Sequence, residues 1–310
     1  MEGPHGLAFA RAVSKLRDTV SSGHRIVLCG IGKSGLIARK IAATLVSLGV
    51  PALFLHPAEA LHGDLGLLRA GDVVLALSYS GQTEELLRLL PLLPRLKVAL
   101  VSVCGCAEST LARSSELVLD VSVNREACTH QLAPTASTTA MLAMGDAIAI
   151  ELSRELGFVP QTFADLHPGG QLGRRLTPVR ELMHTGDAVP AVAPEAALPE
   201  IIHEMSAKRL GMTTVQSQGR LLGVLSDGDL RRLMERDGPE AFHRTAAEVM
   251  HRGARTVAPE VFAGEAIEIM EAYKITALIV TPDGSGQDEV LGVVHMHDLL
   301  ESLGVMPKRS

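Results

Sequence analysis

The sequence has 310 residues, enough for about two domains at ~100–200 residues each. Its hydrophobic fraction of 46% and charged fraction of 21% are those of a folded globular protein, which excludes a disordered or fibrous chain. With no Trp, two Tyr and six Phe, aromatic platforms for stacking bases or sugars are scarce. The net charge of −6 also argues against non-specific nucleic-acid binding, which needs a basic surface.

The chain shows no sign of a membrane or secretory segment. Its first residues do not match a secretory signal, and no apolar run approaches the ~20 residues that span a bilayer. We therefore expect a cytoplasmic protein that makes no membrane contact. Four cysteines in a chain of this length do not make a disulfide framework, so we expect free thiols.

Through the first half of the chain, short apolar runs alternate with longer helical patterns, as in a parallel α/β sheet. Strands are predicted at 25–29, 52–55, 73–77, 98–103 and 117–121. Helices are predicted at 36–48, near 84–93 and 108–114, and at 137–156. The predicted fold class is α/β, a doubly wound five-stranded parallel sheet whose ligand-binding loops lie at the carboxyl ends of its strands.

After Pro178 the sequence contains a repeat. Leu-Met-His-Thr-Gly at 182–186 returns as Val-Met-His-Arg-Gly at 249–253, and Leu-Gly-Val-Leu at 222–225 returns as Leu-Gly-Val-Val at 291–294. The first pair is offset by 67 residues and the second by 69, which predicts two copies of one unit that differ by a two-residue insertion around 283–288. We expect the copies to pack together as one α+β tandem module, because neither copy covers its own sheet.

The predicted first strand runs into Gly-Ile-Gly-Lys-Ser-Gly at 30–35, just before a helix. Backbone N–H groups in such a turn form an anion site together with the helix N-terminus. The spacing does not fit a nucleotide P-loop, because Val27 stands where that motif has its first glycine. Taken alone, the loop is as compatible with a structural glycine turn as with phosphate binding.

The predicted third strand ends in a second polar turn, Ser-Tyr-Ser-Gly-Gln-Thr at 78–83. The hydroxyls of Ser78, Ser80 and Thr83 suit the oxygens of a phosphomonoester. Ser80 and Thr83 could also cap the following helix, a role that is compatible with phosphate binding. Because the two loops follow neighbouring strands, we expect them to converge on one crevice.

These motifs resemble those of a known family. The two loops, with Ala-Pro-Thr-Ala-Ser-Thr-Thr at 133–139, are similar to the sugar isomerase (SIS) domain, and the repeats resemble a pair of cystathionine-β-synthase-type (CBS) domains. With the histidine-bearing segments at 56–66 and 167–174, the pattern resembles that of the D-arabinose 5-phosphate isomerases. The resemblance implies an SIS domain at 1–178 and CBS repeats at 179–240 and 245–310.

The resemblance implies an aldose–ketose isomerase that interconverts D-ribulose 5-phosphate and D-arabinose 5-phosphate, the first step toward Kdo for lipopolysaccharide or capsule. Such a reaction needs a carboxylate that carries a proton between C1 and C2 through an enediol. It also needs a cation or acid that stabilises the developing oxyanion. The family's catalytic set falls on Lys33, Glu85, Glu126 and His167.

Within this set, Glu126 is predicted to be the enediol base, and His167 to open the furanose ring or move protons between oxygens. Lys33 would hold the substrate and stabilise charge, while Glu85 would orient Lys33 or share the proton transfer. Considered one by one, Lys33 and Glu85 would be interpreted as members of surface ion pairs, and His167 as a residue at a helix start.

The resemblance also implies contacts to the substrate and its phosphate from Ser34, Gly49, Val50, His62, Ser78, Ser80, Gln82 and Thr83. Gln82 stands where relatives often have Glu, and Val50 where a polar residue is common. Relative to the family, the chain is expected to begin after an N-terminal helix, which bears on subunit packing.

Cofactor and partner expectations follow from the same resemblance. No cofactor is expected to be required, and His56 is a candidate for binding a non-catalytic, inhibitory zinc ion. The family implies a homotetramer with shared active sites, in which a neighbouring subunit supplies His167. In the first repeat, Ser226 and Asp229 fit a CBS site for an adenine nucleotide, and a purely structural module is the alternative.

Two other functions remain as alternatives: a SIS-type sugar-phosphate sensor or regulator, and an isomerase of another ketose phosphate. A DNA-reading regulator would need a helix-turn-helix with a basic recognition helix, and none is apparent in the sequence. The presence of a lysine, two glutamates and a histidine at the catalytic positions favours an enzyme that acts on a small sugar phosphate.

Overall fold

A computed structural model describes residues 4–167, 170–286 and 289–306 of the chain. These residues belong to two units, Met1–Leu166 and His167–Ser310. Among the described residues, no helix is long and apolar enough to span a membrane. The four cysteines are free, as expected from the sequence.

The described part of the first unit holds one sheet of five parallel strands, which confirms the predicted fold class. The strands are β1 (Ile26–Gly30), β2 (Ala52–Leu55), β3 (Val73–Leu77), β4 (Ala99–Cys104) and β5 (Leu117–Asp120). The helices are α1 (Pro4–Ser21), α2 (Gly32–Ser47), α3 (Pro57–Ala60), α4 (Glu84–Leu89), α5 (Thr110–Arg113), α6 (Ala136–Glu155) and α7 (Pro160–Leu166). Every predicted strand is present within one residue of its predicted ends.

Both faces of this sheet are apolar, because alternate strand residues point to opposite sides. On one face, Ile26, Leu28 and Leu75 pack with α1, α2 and α6. On the other face, Val27 and Val74 pack with α3, α4 and α5. This double cover explains why the strands appear in the sequence as continuous apolar runs.

The strand order is β2-β1-β3-β4-β5, so the chain changes direction between β1 and β3. In a doubly wound sheet this switch point opens a crevice outside the carboxyl ends of the two strands. Gly30 at the end of β1 lies beside Leu77 at the end of β3. The loops that follow these strands therefore meet at one place, as predicted.

The second unit contains the repeat. Its described elements are α8 (Gln171–Arg175), β6 (Ala191–Val192), α9 (Leu198–Lys208), β7 (Met212–Ser217), β8 (Arg220–Ser226), α10 (Asp227–Asp237), α11 (Ala246–Val249), β9 (Thr256–Val257), α12 (Ala263–Tyr273), β10 (Ala277–Val280), β11 (Gly292–His295) and α13 (Met296–Ser302). Each copy forms a three-stranded sheet from its described residues, ordered β6-β7-β8 in the first copy and β11-β10-β9 in the second.

The segment that opens each copy lies against the sheet of the other copy. His184 exchanges backbone hydrogen bonds with Val293 in β11, at 2.8 and 3.0 Å, and His251 does the same with Val224 in β8. Val179, from the start of the first copy, belongs to the apolar cluster of the second sheet. The two copies therefore form one α+β module, as the repeat predicts.

Candidate active site

The loop after β1 is shorter than the sequence suggests, because α2 begins at Gly32 rather than near residue 36. Lys33 and Ser34 consequently lie in the first turn of this 16-residue helix, where unpaired backbone N–H groups favour an anion. Gly35 permits this close approach of helix and strand, since a Cβ atom there would lie 2.7 Å from the Gly30 carbonyl oxygen.

A cavity of about 220 Å³ opens beside this turn. Its lining comes from the first turn of α2 and the residue before it, from the loop after β3, and from α6 and the segment just before it: Ile31, Lys33, Ser34, Tyr79, Pro134, Ser137, Thr138 and Met141. Lys33 is exposed, and within the described residues neither Lys33 nor Glu85 takes part in an ion pair. The described residues thus do not show the ion pairs that the interpretation of Lys33 and Glu85 as members of surface ion pairs requires.

The loop after β3 is organised by its own hydroxyl groups. Ser78 Oγ lies 2.8 Å from Thr83 Oγ1 and accepts a hydrogen bond from the Gly81 N–H, while Ser80 Oγ accepts one from the Gln82 N–H. Thr83 occupies the N-cap position of α4, yet its side chain makes no capping hydrogen bond there. The structure thus holds the hydroxyls together in one loop at the carboxyl edge of the sheet.

Glu126 lies in the loop after β5 and is bound to the first turn of α6. Its Oε2 accepts hydrogen bonds from the Thr135 N–H at 2.7 Å, the Thr135 hydroxyl at 3.0 Å and the Ser137 N–H at 3.3 Å, and its Oε1 accepts one from the Ser137 hydroxyl. These bonds, above all that from the Ser137 hydroxyl, lower the pKa of Glu126 to about 2. The carboxylate is therefore ionised at neutral pH.

Tyr79 joins the β3 loop to the same β5 loop. Its hydroxyl donates to the Val123 carbonyl at 3.3 Å and accepts from the Val123 N–H at 3.2 Å. Gly105, after β4, lies under the Tyr79 ring, where any Cβ would collide with the ring. Three loops of the carboxyl edge are thereby fixed to one aromatic side chain.

Other predicted residues occupy the same edge. Glu85 lies in the first turn of α4 and is partly exposed. His56 follows β2 at the N-cap of α3, and His62 is exposed in the next turn. These positions follow from the topology, since each comes directly after the carboxyl end of a strand or in the turn beyond it.

The structure does not bring Gly49 and Val50 to this edge. Both follow α2, which runs from the carboxyl end of β1 to the opposite edge, where the Pro51 carbonyl accepts from the Ile26 N–H at the start of β1. Gly49 has a φ of +77° and ends the helix, and Val50 is 1% exposed in the apolar core. Within one chain they are thus separated from the loops after β1 and β3.

His167 is the first residue of the second unit, and its carbonyl accepts a hydrogen bond from the Gly170 N–H at 3.1 Å. Pro168 and Gly169, in the histidine-bearing segment at 167–174, lie outside the described residues.

The donor set around His56 does not fit a closed metal site. Its Nδ1 is buried and has no hydrogen-bond partner among the residues that the structure describes, which leaves one nitrogen available as a ligand. In the part of the chain that the structure describes, however, no group of three His, Cys, Asp or Glu side chains could hold a metal ion.

In the repeat module, a cavity of about 550 Å³ lies between the two copies. Ser226 lines it together with Asp227, Arg255 and Lys274. The Asp229 carboxylate accepts hydrogen bonds from the Ser226 N–H and hydroxyl, at 2.9 and 2.6 Å, and these two residues form a capping box at the start of α10. The two residues predicted to bind a nucleotide, Ser226 and Asp229, therefore hydrogen-bond to each other in this structure.

Comparison with known proteins agrees with this architecture. A model of the SIS domain matches residues 20–151, and a model of the CBS domain matches residues 179–236 and 246–305. The arabinose 5-phosphate isomerase KdsD of Pseudomonas aeruginosa is 49% identical over 284 residues, which cover 91% of this chain and 86% of that protein. This chain belongs to the KdsD family of arabinose 5-phosphate isomerases.

Further KdsD relatives support the assignment. The KdsD protein of Escherichia coli K12 is 45% identical over 280 residues, covering 90% of this chain and 84% of that protein. The solved structure of an Escherichia coli CFT073 protein in complex with arabinose 5-phosphate is 40% identical, with a TM-score of 0.51, and covers 54% of this chain and 87% of that chain. The family predicted from the motifs is confirmed.

Sequence reasoning did not assign roles to several residues that build the site of this KdsD-family chain. Tyr79 stood inside the second loop, and Thr135 and Ser137 stood inside the motif at 133–139, but no spacing rule connects them to Val123 or Glu126. The sequence feature that could have identified these residues is their position just after a strand or at the start of a helix, where polar side chains reach the carboxyl edge of the sheet.

Proposed function

We propose that this chain interconverts D-ribulose 5-phosphate and D-arabinose 5-phosphate through an enediol, and so supplies the synthesis of Kdo for lipopolysaccharide or capsule. The observation that carries the proposal is the cavity at the carboxyl edge. There the first turn of α2, with Lys33, meets the first turn of α6, which binds Glu126. The KdsD relatives and the arabinose 5-phosphate complex of a related protein support the choice of substrate.

In this proposal, two sets of groups hold the phosphate. The first turn of α2 supplies N–H groups and the Ser34 hydroxyl. The loop after β3 supplies the hydroxyls of Ser78, Ser80 and Thr83, which already hydrogen-bond to one another or to backbone groups of their loop. Gln82, exposed in the same loop, offers a neutral amide near the phosphate where a glutamate would repel it.

The proton transfer is assigned to Glu126. It removes a proton from C1 of the ketose while the C2 carbonyl oxygen gains a proton, which gives the 1,2-enediol. The proton then returns to C2 while the O1 hydroxyl loses its proton, which gives the aldose. Lys33 stabilises the negative charge that develops on oxygen, and Glu85 assists Lys33 or the proton transfer. His167 opens the furanose or moves protons between the oxygens.

No step of this route needs a metal ion, and we propose that the enzyme requires no cofactor. His56 supplies one buried nitrogen that zinc could bind, with inhibition rather than activation as the result. Equal activity before and after treatment with a strong chelator supports this proposal. Loss of activity that zinc restores contradicts it.

Incubation of the purified protein with D-ribulose 5-phosphate in deuterated water, without added metal, tests the proposed reaction directly. Proton NMR should show D-arabinose 5-phosphate carrying deuterium at C2, because the proton held by a carboxylate exchanges with solvent. An absence of turnover, together with a raised melting temperature on adding the sugar phosphate, would instead support a sensor. Turnover of a different ketose phosphate would support another isomerase.

The role of Glu126 is tested by Glu126→Gln, which should lower kcat by ~10²–10⁴ because the amide cannot accept the proton. Glu116→Gln is the matched control, since Glu116 forms an exposed ion pair with Lys15. Wild-type turnover by the Glu126 variant would overturn the assignment.

We further propose that the protein is a cytoplasmic homotetramer with shared active sites, to which a neighbouring subunit contributes His167. An apolar groove of about 660 Å³ between α1 and α6, lined by Phe9, Met144, Ala147 and Ile150 among others, supports an interface on this face. Light scattering should give the mass of four chains, and Ile150→Glu should reduce it. A monomeric wild-type protein would contradict the proposal.

An adenine nucleotide is proposed as the ligand of the repeat module. Arg255 and Lys274 place positive charge beside Ser226 in the cavity between the copies, which suits a phosphate group. Calorimetric titration with AMP and ATP should detect binding that Lys274→Met weakens. The absence of any heat would leave the module with a structural role only.

A further inference from the structure

The first turn of α6 surrounds the Glu126 carboxylate with hydrogen-bond donors. Both oxygens are occupied: Oε2 by the Thr135 and Ser137 N–H groups and the Thr135 hydroxyl, and Oε1 by the Ser137 hydroxyl. Backbone N–H groups at a helix N-terminus have no partner within the helix, so a carboxylate from another segment satisfies them here. We call this set of donors the Glu126 cradle.

Each hydroxyl of the cradle has its hydrogen committed to the carboxylate. The Thr135 hydroxyl accepts a bond from the Ala127 N–H at 2.9 Å, so its own hydrogen is directed to Glu126. Ser137 is 1% exposed, and water cannot easily replace its bond. The orientation of the carboxylate therefore depends on two side chains as well as on the backbone.

The cradle is also adjacent to the proposed substrate cavity. Ser137, which binds Oε1 of Glu126, lines that cavity together with Lys33 and Tyr79. A shift of the Ser137 hydroxyl would therefore change both the position of the Glu126 carboxylate and the shape of the cavity wall. Displacement of a reacting group by a fraction of an ångström is costly for catalysis.

We propose that Thr135 and Ser137 are positioning residues whose hydroxyls hold the Glu126 carboxylate in the orientation that proton transfer requires. The inference rests on the proposed function, in which Glu126 moves the proton between C1 and C2. It assigns a role to the motif at 133–139 beyond starting a helix. Neither hydroxyl needs to touch the substrate for this role.

The decisive variants are Ser137→Ala and Thr135→Val, each of which removes one donor to the carboxylate. Each should lower kcat about tenfold while KM changes less than about twofold, because the loss affects orientation rather than substrate binding. Thr135→Ser keeps the hydroxyl and should restore most of kcat. Thr139→Val is the matched control, since the Thr139 hydroxyl donates to the Thr135 carbonyl and the side chain is exposed.

A second readout does not depend on activity. The Glu126 carboxyl resonance of carbon-13-labelled protein, assigned by its loss in Glu126→Gln, is followed as pH falls. In Ser137→Ala its titration midpoint should rise by about one pH unit, the effect of losing one hydrogen bond to a charged group. Thr139→Val should titrate like the wild type.

The two readouts separate this inference from the proposed function. An unchanged midpoint in Ser137→Ala overturns the inference whether or not kcat falls, because the hydroxyl then acts on something other than Glu126. If the wild-type protein does not turn over D-ribulose 5-phosphate, the proposed function fails, and a raised midpoint still shows that the cradle holds the carboxylate. Should Ser137→Ala fail to fold, the pair Thr135→Val and Thr135→Ser carries the same test.

Discussion

The hydrogen bonds to the Glu126 carboxylate make the stability of the fold depend on pH in the acid range. Its pKa of about 2 in the folded chain lies below the ordinary value of 4.5, because of the hydrogen bonds from Ser137 and Thr135. A carboxyl whose pKa is lowered by folding stabilises the protein above its unfolded pKa, and that stabilisation is lost as pH falls toward the folded value. The relevant window thus runs from about 4.5 down to about 2.

Glu126→Gln should therefore lower the unfolding temperature at pH 6 more than at pH 3. The difference between variant and wild type shrinks below about pH 4.5, because the carboxyl of the unfolded wild-type chain becomes protonated there while that of the folded chain, with a pKa of about 2, stays ionised. Thermal unfolding followed by circular dichroism at pH 6, 4 and 3 measures it, with Glu116→Gln as the control. A difference that stays constant across this range would show that Glu126 does not titrate in the window.

At the level of single residues, the sequence predicts the types of group at the site but not their partners. Glu126 was singled out by resemblance, whereas its bonds to Thr135 and Ser137 depend on where the β5 loop folds back on α6. Thr83 shows the same limit. Its position before α4 predicts a capping hydroxyl, yet the hydroxyl lies against Ser78 instead.

At the level of elements, strands were predictable because burial on both faces demands apolar runs. Helix starts were harder to predict than strands. Helix α2 begins at Gly32, four residues before the predicted start, because the glycines allow the first helical turn to form within the segment expected to be a loop. No helix was predicted before residue 25, although α1 is present. Its buried Ala12 and Leu16 belong to the apolar cluster on one face of the sheet, so the stability of α1 comes from tertiary packing that local signals do not report.

The Tyr79 hydroxyl ties the β3 loop to the β5 loop, which leads to Glu126. Tyr79→Phe removes both hydrogen bonds to Val123 while keeping the ring over Gly105. We expect faster hydrogen exchange in the peptides that cover residues 121–128, and a kcat several-fold lower. Tyr273→Phe is the control, because Tyr273 is the other tyrosine of the chain and lies in the second unit. Unchanged exchange in the loop would contradict the link.

The repeated Leu-Gly-Val element requires glycine for a steric reason. A Cβ on Gly223 would lie 2.8 Å from the His251 carbonyl oxygen and 2.8 Å from Met250 Sδ, and that carbonyl is held by the Val224 N–H. Gly223→Ala should destabilise the module by about 1–3 kcal/mol through overpacking. Denaturant unfolding measures this loss.

Gly286→Ala is the matched control for that substitution, because among the described residues that are not its chain neighbours the nearest atom to an added Cβ would be 3.9 Å away. It should change stability by less than about 0.5 kcal/mol. Equal effects of the two substitutions would show that the segment from the other copy does not constrain Gly223.

The sequence predicted that the two copies pack together, but the exchange of their opening segments depends on long-range pairing that a repeat cannot specify.

At the level of the whole molecule, the two units have their own apolar cores. Leu152 on α6 belongs to a cluster of the first unit, and Leu299 on α13 belongs to a cluster of the second, and both are 0% exposed. Removing most of a buried leucine costs about 2–5 kcal/mol wherever the surroundings cannot collapse. Each substitution should therefore act on the unit whose core it alters.

Hydrogen exchange on Leu152→Ala and Leu299→Ala tests this independence. The first variant should lose protection in β1, β3 and α6, and the second in β10, β11 and α12, because local opening follows the stability of the cooperative unit that contains the amide. The matched chemistry of the two substitutions makes each variant the control for the other. A uniform loss of protection along the whole chain in both variants would show instead that the SIS and CBS units unfold as one cooperative body.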